Sequence, residues 1–214
     1  MSNSWGGGGF SSALKEAIEA AAERGRLMGR VATNQQGTMI ALQTKDEGLV
    51  EAALAHGNQF GFVCLGARNT AEQWILSGDE HALREVMTCF ESVPLRVAGA
   101  WHSPAMRPAV EPMRQLLKKH WKPGKRVHFV SAQSGCVMKE QALIPNVLAE
   151  QIAQPSYYYK VLQTLCDMGV KTYVTVGPGR IQRSLVRRCV GANATILGTE
   201  TVKDLERTIK VLAA

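Results

Sequence analysis

The sequence lacks an apolar run long enough to cross a membrane. No window of the 214 residues approaches the ~18 uninterrupted apolar residues that a membrane-spanning helix needs. The first ten residues have neither a basic segment nor an apolar core, so we expect no secretory signal peptide there. These absences favour a cytoplasmic protein that does not bind membranes.

The sequence has few cysteines, and their spacing shows no paired motif. The chain has five cysteines, an odd number, and no Cys-x-x-Cys spacing. This excludes the usual sequence patterns of zinc sites and of disulfide frameworks, so we expect no bound metal. The cysteines lie in apolar runs, which predicts buried free thiols in a reducing compartment.

Aromatic residues make up only 6% of the chain, and they do not alternate with basic residues as a nucleic-acid platform would require. The formal net charge is +7, which fits an acidic partner. Charge alone does not choose among nucleic acid, a membrane surface and an acidic protein or ligand. The aromatic pattern disfavours nucleic acid.

Residues 37–99 show the order β-α-β-β-α-β, which is typical of the split βαβ arrangement of ferredoxin-like domains. Strand-like and helix-like apolar periodicities alternate along this stretch. We expect a four-stranded antiparallel sheet with two helices on one face. The predicted strands are 38–43, 60–65, 73–76 and 93–97, and the predicted helices are 46–56 and 79–90.

The flanking residues predict a second, larger unit. Residues 1–10 end in four glycines before a phenylalanine, a composition typical of a flexible leader. Residues 11–36 begin with a helix, and residues 100–214 alternate helices with strands at 127–131, 171–176 and 194–197. Such alternation favours a parallel α/β sheet. We therefore predict a leader at 1–10, a large subdomain formed by 11–36 and 100–214, and a small subdomain at 37–99.

His102 is the candidate catalytic residue. It follows a predicted strand, and Ser103-Pro104 then opens a predicted helix, since serine is a good N-cap and proline a good first helical residue. A histidine at such a corner is free to meet a substrate. An isolated histidine is also commonly structural, and the local pattern does not decide between the two.

Seven short motifs along the chain occur in one order and at suitable spacing. They are Arg24-Gly25-Arg26-Leu27-Met28, Gly37-Thr38-Met39, Asn69 with Gln73 and Ile75-Leu76-Ser77-Gly78, His102-Ser103-Pro104-Ala105-Met106, Val130-Ser131, Gln154-Pro155 and Val176-Gly177-Pro178-Gly179. Together they resemble the malonyl-CoA:acyl-carrier-protein transacylase family, which includes the acyltransferase domains of polyketide and fatty-acid synthases. The resemblance covers residues 11–214, and it implies part of an α/β-hydrolase-like large subdomain with an inserted ferredoxin-like small subdomain.

The resemblance implies ping-pong transfer of a malonyl group from a coenzyme A thioester, with no bound cofactor, to an acidic acyl carrier protein. His102 then corresponds to the general base, oriented by backbone carbonyls that the resemblance places at residues 130–133. Arg24 corresponds to the clamp on the malonyl carboxylate, although a solvated helix arginine is the alternative.

Further substrate-binding positions follow from the same resemblance. Trp101 corresponds to an aromatic residue that selects malonyl groups, or else is a core tryptophan. Asn69 and Gln73 correspond to polar cleft residues, or else bond a turn. Met28 is the remaining substrate-binding candidate. Carrier docking would use basic residues that could equally be solvated: Lys118, Lys119, Lys122, Lys125, Arg126, Arg180, Arg183, Arg187 and Arg188.

The chain departs from the family pattern in one respect. The family carries a Gly-Gln-Gly-Ser-Gln loop and a Gly-His-Ser-x-Gly nucleophile elbow, and neither string occurs here. Ser4 stands beside tryptophan without a preceding Gly-His, which disfavours it as a replacement. We therefore expect a fragment, a chain completed by a second chain, or a non-catalytic binding module. We also expect strands 127–131 and 171–176 to lack neighbours.

Overall fold

The computed structural model of the protein describes residues 12–122, 127–177 and 180–213. The predicted leader, Lys125, Arg126 and most of the Gly177-Pro178-Gly179 turn lie outside these residues. The described chain is mixed α/β. Its helices and strands are α1 Ser12–Thr33, β1 Gly37–Gln43, α2 Glu47–Gly57, β2 Val63–Arg68, β3 Gln73–Asp79, α3 Glu80–Cys89, β4 Ser92–Pro94, α4 Val110–His120, β5 Phe129–Val130, β6 Val137–Met138, α5 Ile144–Glu150, α6 Tyr158–Asp167, β7 Thr172–Thr175, α7 Ile181–Val190, β8 Thr195–Gly198 and α8 Val202–Leu212.

Strands β1 to β4 form one antiparallel sheet in the order β2-β3-β1-β4. Alternate residues of a strand point to opposite faces, so Ile40 and Leu42 on β1 share one face. They are buried there against Val50 of α2 and against Leu83 and Val86 of α3. The element order and the antiparallel pairing are as predicted, whereas the division of the chain into two subdomains stays a prediction.

The ends of the strands differ from the prediction. Strand β3 does not end at residue 76 but continues through Ser77 and Gly78 to Asp79, because these residues pair with both β1 and β2. Gly78 is required there, since a Cβ at this position would lie 2.1 Å from the Phe62 carbonyl oxygen. Strand β2 begins at Val63 rather than at residue 60, and β4 is shorter than predicted.

Helices α1, α4 and α5 form a second packed layer. Met28 of α1, Met113 of α4 and Ala149 of α5 are buried in one apolar cluster. Met106 is fully buried in the same cluster and lies in a 3₁₀ segment, Pro104–Ala109, that precedes α4. The helix predicted to open at Ser103-Pro104 is therefore a 3₁₀ turn followed by an α-helix.

The predicted parallel sheet is only partly present. Strands β7 and β8 pair in parallel and pack against α6 and α7. Strand β5 pairs instead with β6 in an antiparallel hairpin, so its assignment to the parallel sheet was wrong for the described residues. A tight turn between β5 and β6 produces the hairpin, because Gly135 adopts a φ of 76° and its N–H donates to the Ser131 carbonyl. Within the described ranges, no helix is both long and apolar enough to span a membrane.

Candidate active site

The segment that carries His102 crosses the face of the four-stranded sheet opposite α2 and α3. Leu95, Val97 and Trp101 pack there against the buried residues Met39 and Ile75. The Leu95 N–H also donates to the Met39 carbonyl at 2.9 Å. The sheet thus supports the loop that presents the histidine.

Close backbone approaches and buried hydroxyls hold this loop. A Cβ on Gly37 would lie 2.8 Å from the Cβ of Ala100, so β1 approaches the loop too closely for a side chain. Ser77 of β3 is fully buried and donates its hydroxyl to the Trp101 carbonyl at 2.8 Å. Ser103, also fully buried, donates to the Ala100 carbonyl at 2.6 Å. The two carbonyls preceding His102 are therefore satisfied by buried donors.

His102 itself has a φ of 57°, and it is the one non-glycine residue with a positive φ among the described residues. Such a conformation costs on the order of 1–3 kcal/mol and persists where surrounding contacts over-determine it. Strained residues of this kind cluster at functional sites. The contacts of Ser77 and Ser103 supply the constraint here.

The imidazole ring is oriented by a backbone carbonyl. Its Nδ1 lies 2.8 Å from the Gln151 carbonyl oxygen, which can only accept, so Nδ1 carries the proton in the neutral ring. Nε2 is then left with its lone pair, as a general base requires. The resemblance had placed this carbonyl in residues 130–133, which is wrong: it comes from the 3₁₀ segment Gln151–Ala153, which follows α5 directly.

The electrostatic surroundings favour the neutral ring. Burial lowers the pKa of His102 most, and the positive charge of Arg24 lowers it further. Backbone hydrogen bonds with Gln151 and Gln154 raise the pKa and oppose these effects. The net pKa is below the ordinary 6.5, so the ring is unprotonated at neutral pH.

Arg24 lies on α1, partly buried, and its charge acts on His102. Burial lowers the pKa of its guanidinium, which still remains charged. No carboxylate pairs with Arg24 among the described residues, whereas its neighbour Arg26 pairs with Glu23 at 3.2 Å. Among the described residues, Arg24 is thus a partly desolvated cation without a carboxylate partner, and its charge lowers the pKa of His102.

Trp101 and Met28 both contribute to the apolar cluster between α1 and α4. Met28 is buried, and Trp101 is half-buried at the junction of this cluster with the sheet face. These contacts suit core residues. Their substrate-binding role stays a prediction.

Asn69 and Gln73 bond each other. The Asn69 Nδ2 donates to the Gln73 Oε1 at 3.1 Å, and the Asn69 N–H donates to the Gln73 carbonyl at 3.0 Å. Thr70 between them is buried and accepts from the Gln73 N–H. This geometry favours the alternative that the pair stabilises the turn between β2 and β3.

Neither Gln151 nor Gln154 was predicted from the sequence to act on His102. The backbone of Gln154 raises the pKa of His102, and the Gln154 Oε1 accepts from Gln133 Nε2 at 3.2 Å. The one available signal was Pro155, because a residue before proline is kept extended and Gln154 has φ −134° and ψ 156°. Nothing in the local sequence indicated Gln151.

The described residues contain no cluster of histidine, cysteine and carboxylate side chains that could hold a metal ion. All five cysteines are free, but the prediction that they are buried was wrong. Cys89, Cys136 and Cys166 are exposed, and Cys64 and Cys189 are intermediate. Their positions near strand and helix ends open them to solvent in spite of apolar neighbours in sequence.

The chain matches no protein-family model. Two curated relatives are the malonyl CoA-acyl carrier protein transacylase of Bacillus subtilis, 26% identical over 206 residues, and the polyketide synthase GfsA of Streptomyces halstedii, 29% identical over 199 residues. The alignments cover 93% and 90% of this chain, but 65% and 3% of the relatives. The chain thus spans slightly less than two thirds of the Bacillus protein.

Solved structures share the fold. The malonyl CoA-acyl carrier protein transacylase of Clostridium perfringens superposes with a TM-score of 0.82 at 23% identity, over 94% of this chain and 65% of that one. A structure of a type II polyketide synthase acyl-carrier protein in complex with its malonyl-transacylase matches with a TM-score of 0.79 at 19% identity. The match covers 92% of this chain and 66% of that one. The resemblance predicted from the sequence motifs is confirmed by these relatives.

Proposed function

We propose that this chain, whose homologues are malonyl CoA-acyl carrier protein transacylases and polyketide synthases, contributes the base and the carboxylate clamp of a malonyl-transfer site. The reaction would move a malonyl-type group from coenzyme A to an acyl carrier protein in fatty-acid or polyketide biosynthesis. The observation that carries the proposal is the His102 ring, held through Nδ1 by the Gln151 carbonyl and exposed to the charge of Arg24.

In the proposed reaction, Nε2 of His102 takes the proton of a serine hydroxyl as the serine oxygen attacks the thioester carbonyl. The carbon–sulfur bond then breaks, and the imidazolium returns its proton to the coenzyme A thiolate. In the second half, Nε2 takes the proton of the carrier's thiol as its sulfur attacks the carbonyl carbon of the acyl-serine. The bond between that carbon and the serine oxygen then breaks, and the imidazolium returns the proton to the serine oxygen. The low pKa of His102 keeps its lone pair available for both steps.

Arg24 would hold the free carboxylate of the malonyl group. A planar guanidinium binds a carboxylate through two parallel hydrogen bonds. Because Arg24 has no carboxylate partner among the described residues, no internal ion pair must break before the substrate binds. Trp101 and Met28 would line the apolar side of the same site.

The nucleophilic serine in this proposal lies outside the 214 residues, which contain no Gly-His-Ser-x-Gly string. It would come from further sequence of the same polypeptide or from a second chain. The missing string equally supports a second candidate function, a non-catalytic module that binds malonyl groups or carrier proteins. The two candidate functions differ in whether malonyl transfer occurs once the nucleophilic serine is supplied to the site.

The carrier protein would dock on the basic surface. Arg180, Arg187 and Arg188 at α7 are exposed, as are Lys118 and Lys119 at the end of α4. Arg183 is less available, because it pairs with Glu200 and Asp204. Opposite charges on a carrier protein would favour encounter more than tight binding.

A chimera tests the proposal. Residues 12–213 of this chain would replace the part of the Bacillus subtilis transacylase to which they align, so that the rest of that enzyme supplies the serine. We expect transfer of labelled malonyl to a carrier protein, and a fall of about 10²–10⁴-fold on His102→Ala. The 214-residue chain alone should transfer none and should show no acylated serine by mass spectrometry.

A folded chimera whose turnover is unaffected by His102→Ala would contradict the catalytic role. Thermal melting of the chimera and its variant provides the control for folding. A chimera that binds malonyl-CoA through Arg24 but never turns over would favour the binding module instead.

A further inference from the structure

Glu150, the last residue of α5, joins the elements that surround His102. Its Oε2 accepts from Arg107 Nη1 at 2.5 Å, and its Oε1 accepts from Arg114 Nη2. Arg107 lies in the 3₁₀ segment Pro104–Ala109, and Arg114 lies on α4. One carboxylate therefore bonds two elements that follow His102 in the chain.

These bonds close a ring of contacts through the candidate base. Gln151 follows Glu150 directly and bonds His102 Nδ1 at 2.8 Å. Arg107 lies five residues after His102 and bonds back to Glu150. Replacing Glu150 would therefore remove a polar link between the 3₁₀ segment that carries the Gln151 carbonyl and the corner that carries His102, two segments that the apolar cluster with Met106 and Ile152 also joins.

The bond between Glu150 and Arg114 is partly shielded from solvent, whereas the Arg107 side chain is 55% exposed. The side chains of Glu150 and Arg114 are 25% and 22% exposed, so their ion pair is screened less than a surface pair. Two hydrogen bonds from different elements also fix the orientation of the carboxylate more than one flexible pair does. Glu150 can thus transmit its position to the next backbone carbonyl.

We propose that Glu150 is a positioning residue for His102. By bonding Arg107 and Arg114, it holds the Gln151 carbonyl against Nδ1 and keeps the neutral ring in the form with a free Nε2. Glu150 does not contact substrate in this proposal. The importance of the free Nε2 rests on the proposed base role, but the position of the ring proton does not.

The test is the ring proton of His102 in the 214-residue chain. Long-range ¹H–¹⁵N NMR on ¹⁵N-histidine protein distinguishes the Nδ1–H and Nε2–H forms, and His102→Gln identifies the resonance among the five histidines. In Glu150→Gln, we expect the ratio of Nδ1–H to Nε2–H to fall about two- to tenfold, the value of one lost neutral hydrogen bond. The pKa of His102 should also fall, because the Gln151 bond raises it.

Glu111→Gln is the matched control. Glu111 also pairs with Arg114, but it lies on α4, is mostly exposed and has no link to Gln151. We expect its ring-proton ratio and pKa to match those of the unaltered chain. Arg107→Gln is the second variant and removes one of the two bonds of Glu150, so it should shift the ratio in the same direction by a smaller factor.

The proposal would be overturned if Glu150→Gln, folded by circular dichroism, left the ring-proton ratio unchanged, or if Glu111→Gln changed it equally. Should Glu150→Gln fail to fold, an unchanged ratio in Arg107→Gln would overturn it instead. These outcomes are independent of turnover. Failure of the chimera to depend on His102 would remove the proposed function and leave the measured role of Glu150 intact.

Discussion

Replacing Arg24 by alanine should change His102 and ligand binding together. The positive charge of Arg24 lowers the pKa of His102, so its removal should raise that pKa. The same substitution removes the proposed carboxylate clamp. Alanine favours helices, so α1 should not be destabilised at this position.

The structure gives the scale of the binding loss. A hydrogen bond to a charged group contributes about 1.5–3 kcal/mol. Arg24 is only partly buried, so we take one such bond rather than two for the net effect. At about 1.4 kcal/mol per tenfold change, malonyl-CoA should bind roughly 10- to 150-fold more weakly to Arg24→Ala. Acetyl-CoA, which has no free carboxylate, should bind the two proteins alike.

Linkage connects the two effects and provides the assay. A malonyl carboxylate on Arg24 would offset its charge, so saturation with malonyl-CoA should raise the pKa of His102 in the unaltered chain. Acetyl-CoA should raise it less, and Arg24→Ala should lose the difference between the two ligands. Isothermal titration calorimetry measures the affinities, and the histidine NMR signal measures the pKa across pH.

Arg26→Ala is the control, because Arg26 is exposed and already pairs with Glu23. It should leave the affinity and the pKa of His102 unchanged. The reasoning is refuted if malonyl-CoA still raises the pKa of His102 above the acetyl-CoA value in Arg24→Ala, or if Arg26→Ala weakens binding as much.

Three further predictions concern stability and association. The pKa of His102 lies below its unfolded value of 6.5, so the unfolded chain binds more protons in this pH range. The free energy of unfolding should therefore fall as the pH drops below about 6.5. Urea denaturation at a series of pH values should show a shallower fall for His102→Gln. Ser77→Ala leaves the Trp101 carbonyl without its buried donor and should lower the unfolding free energy by about 1–3 kcal/mol, measured by urea denaturation. On α8, Leu205 and Ile209 are exposed apolar residues, so the chain should self-associate, and the double substitution to serine should reduce its sedimentation-measured mass.

The four-stranded sheet could be predicted because its signals are local. The alternation of apolar residues along the strands and the helical periodicity of residues 46–56 and 79–90 each act within a few residues. The strand ends could not be predicted, because pairing with two neighbours extends β3 past Ser77 and Gly78. A serine-glycine pair ends a strand in isolation and continues it when both edges are bonded.

The candidate site could be predicted only in part. His102 was a candidate from its place at a strand-to-helix corner and Arg24 from the resemblance, and the effect of the Arg24 charge on His102 follows from the packing of α1 beside the 3₁₀ segment after His102. Gln151 could not be identified, because 49 residues separate it from His102 and a backbone carbonyl leaves no side-chain signal. The role proposed for Glu150 likewise could not be predicted, because its bond to Arg107 joins residues that are distant in the sequence.

The positive φ of His102 shows that the conformation of the loop, and not the imidazole ring alone, sets the geometry of this candidate site. A histidine without such contacts adopts a negative φ far more often, so the loop fixes an uncommon backbone conformation at the residue whose ring bonds the Gln151 carbonyl. The strained conformation is held by Ser77 on one side and by the approach of Gly37 on the other, both of them in the sheet. The backbone conformation of the candidate base therefore depends on strands β1 and β3 as well as on its own loop. Substitutions of Gly37 or Ser77 should therefore change the ratio of the Nδ1–H and Nε2–H forms of His102 more than they change the position of Arg24, which lies on α1.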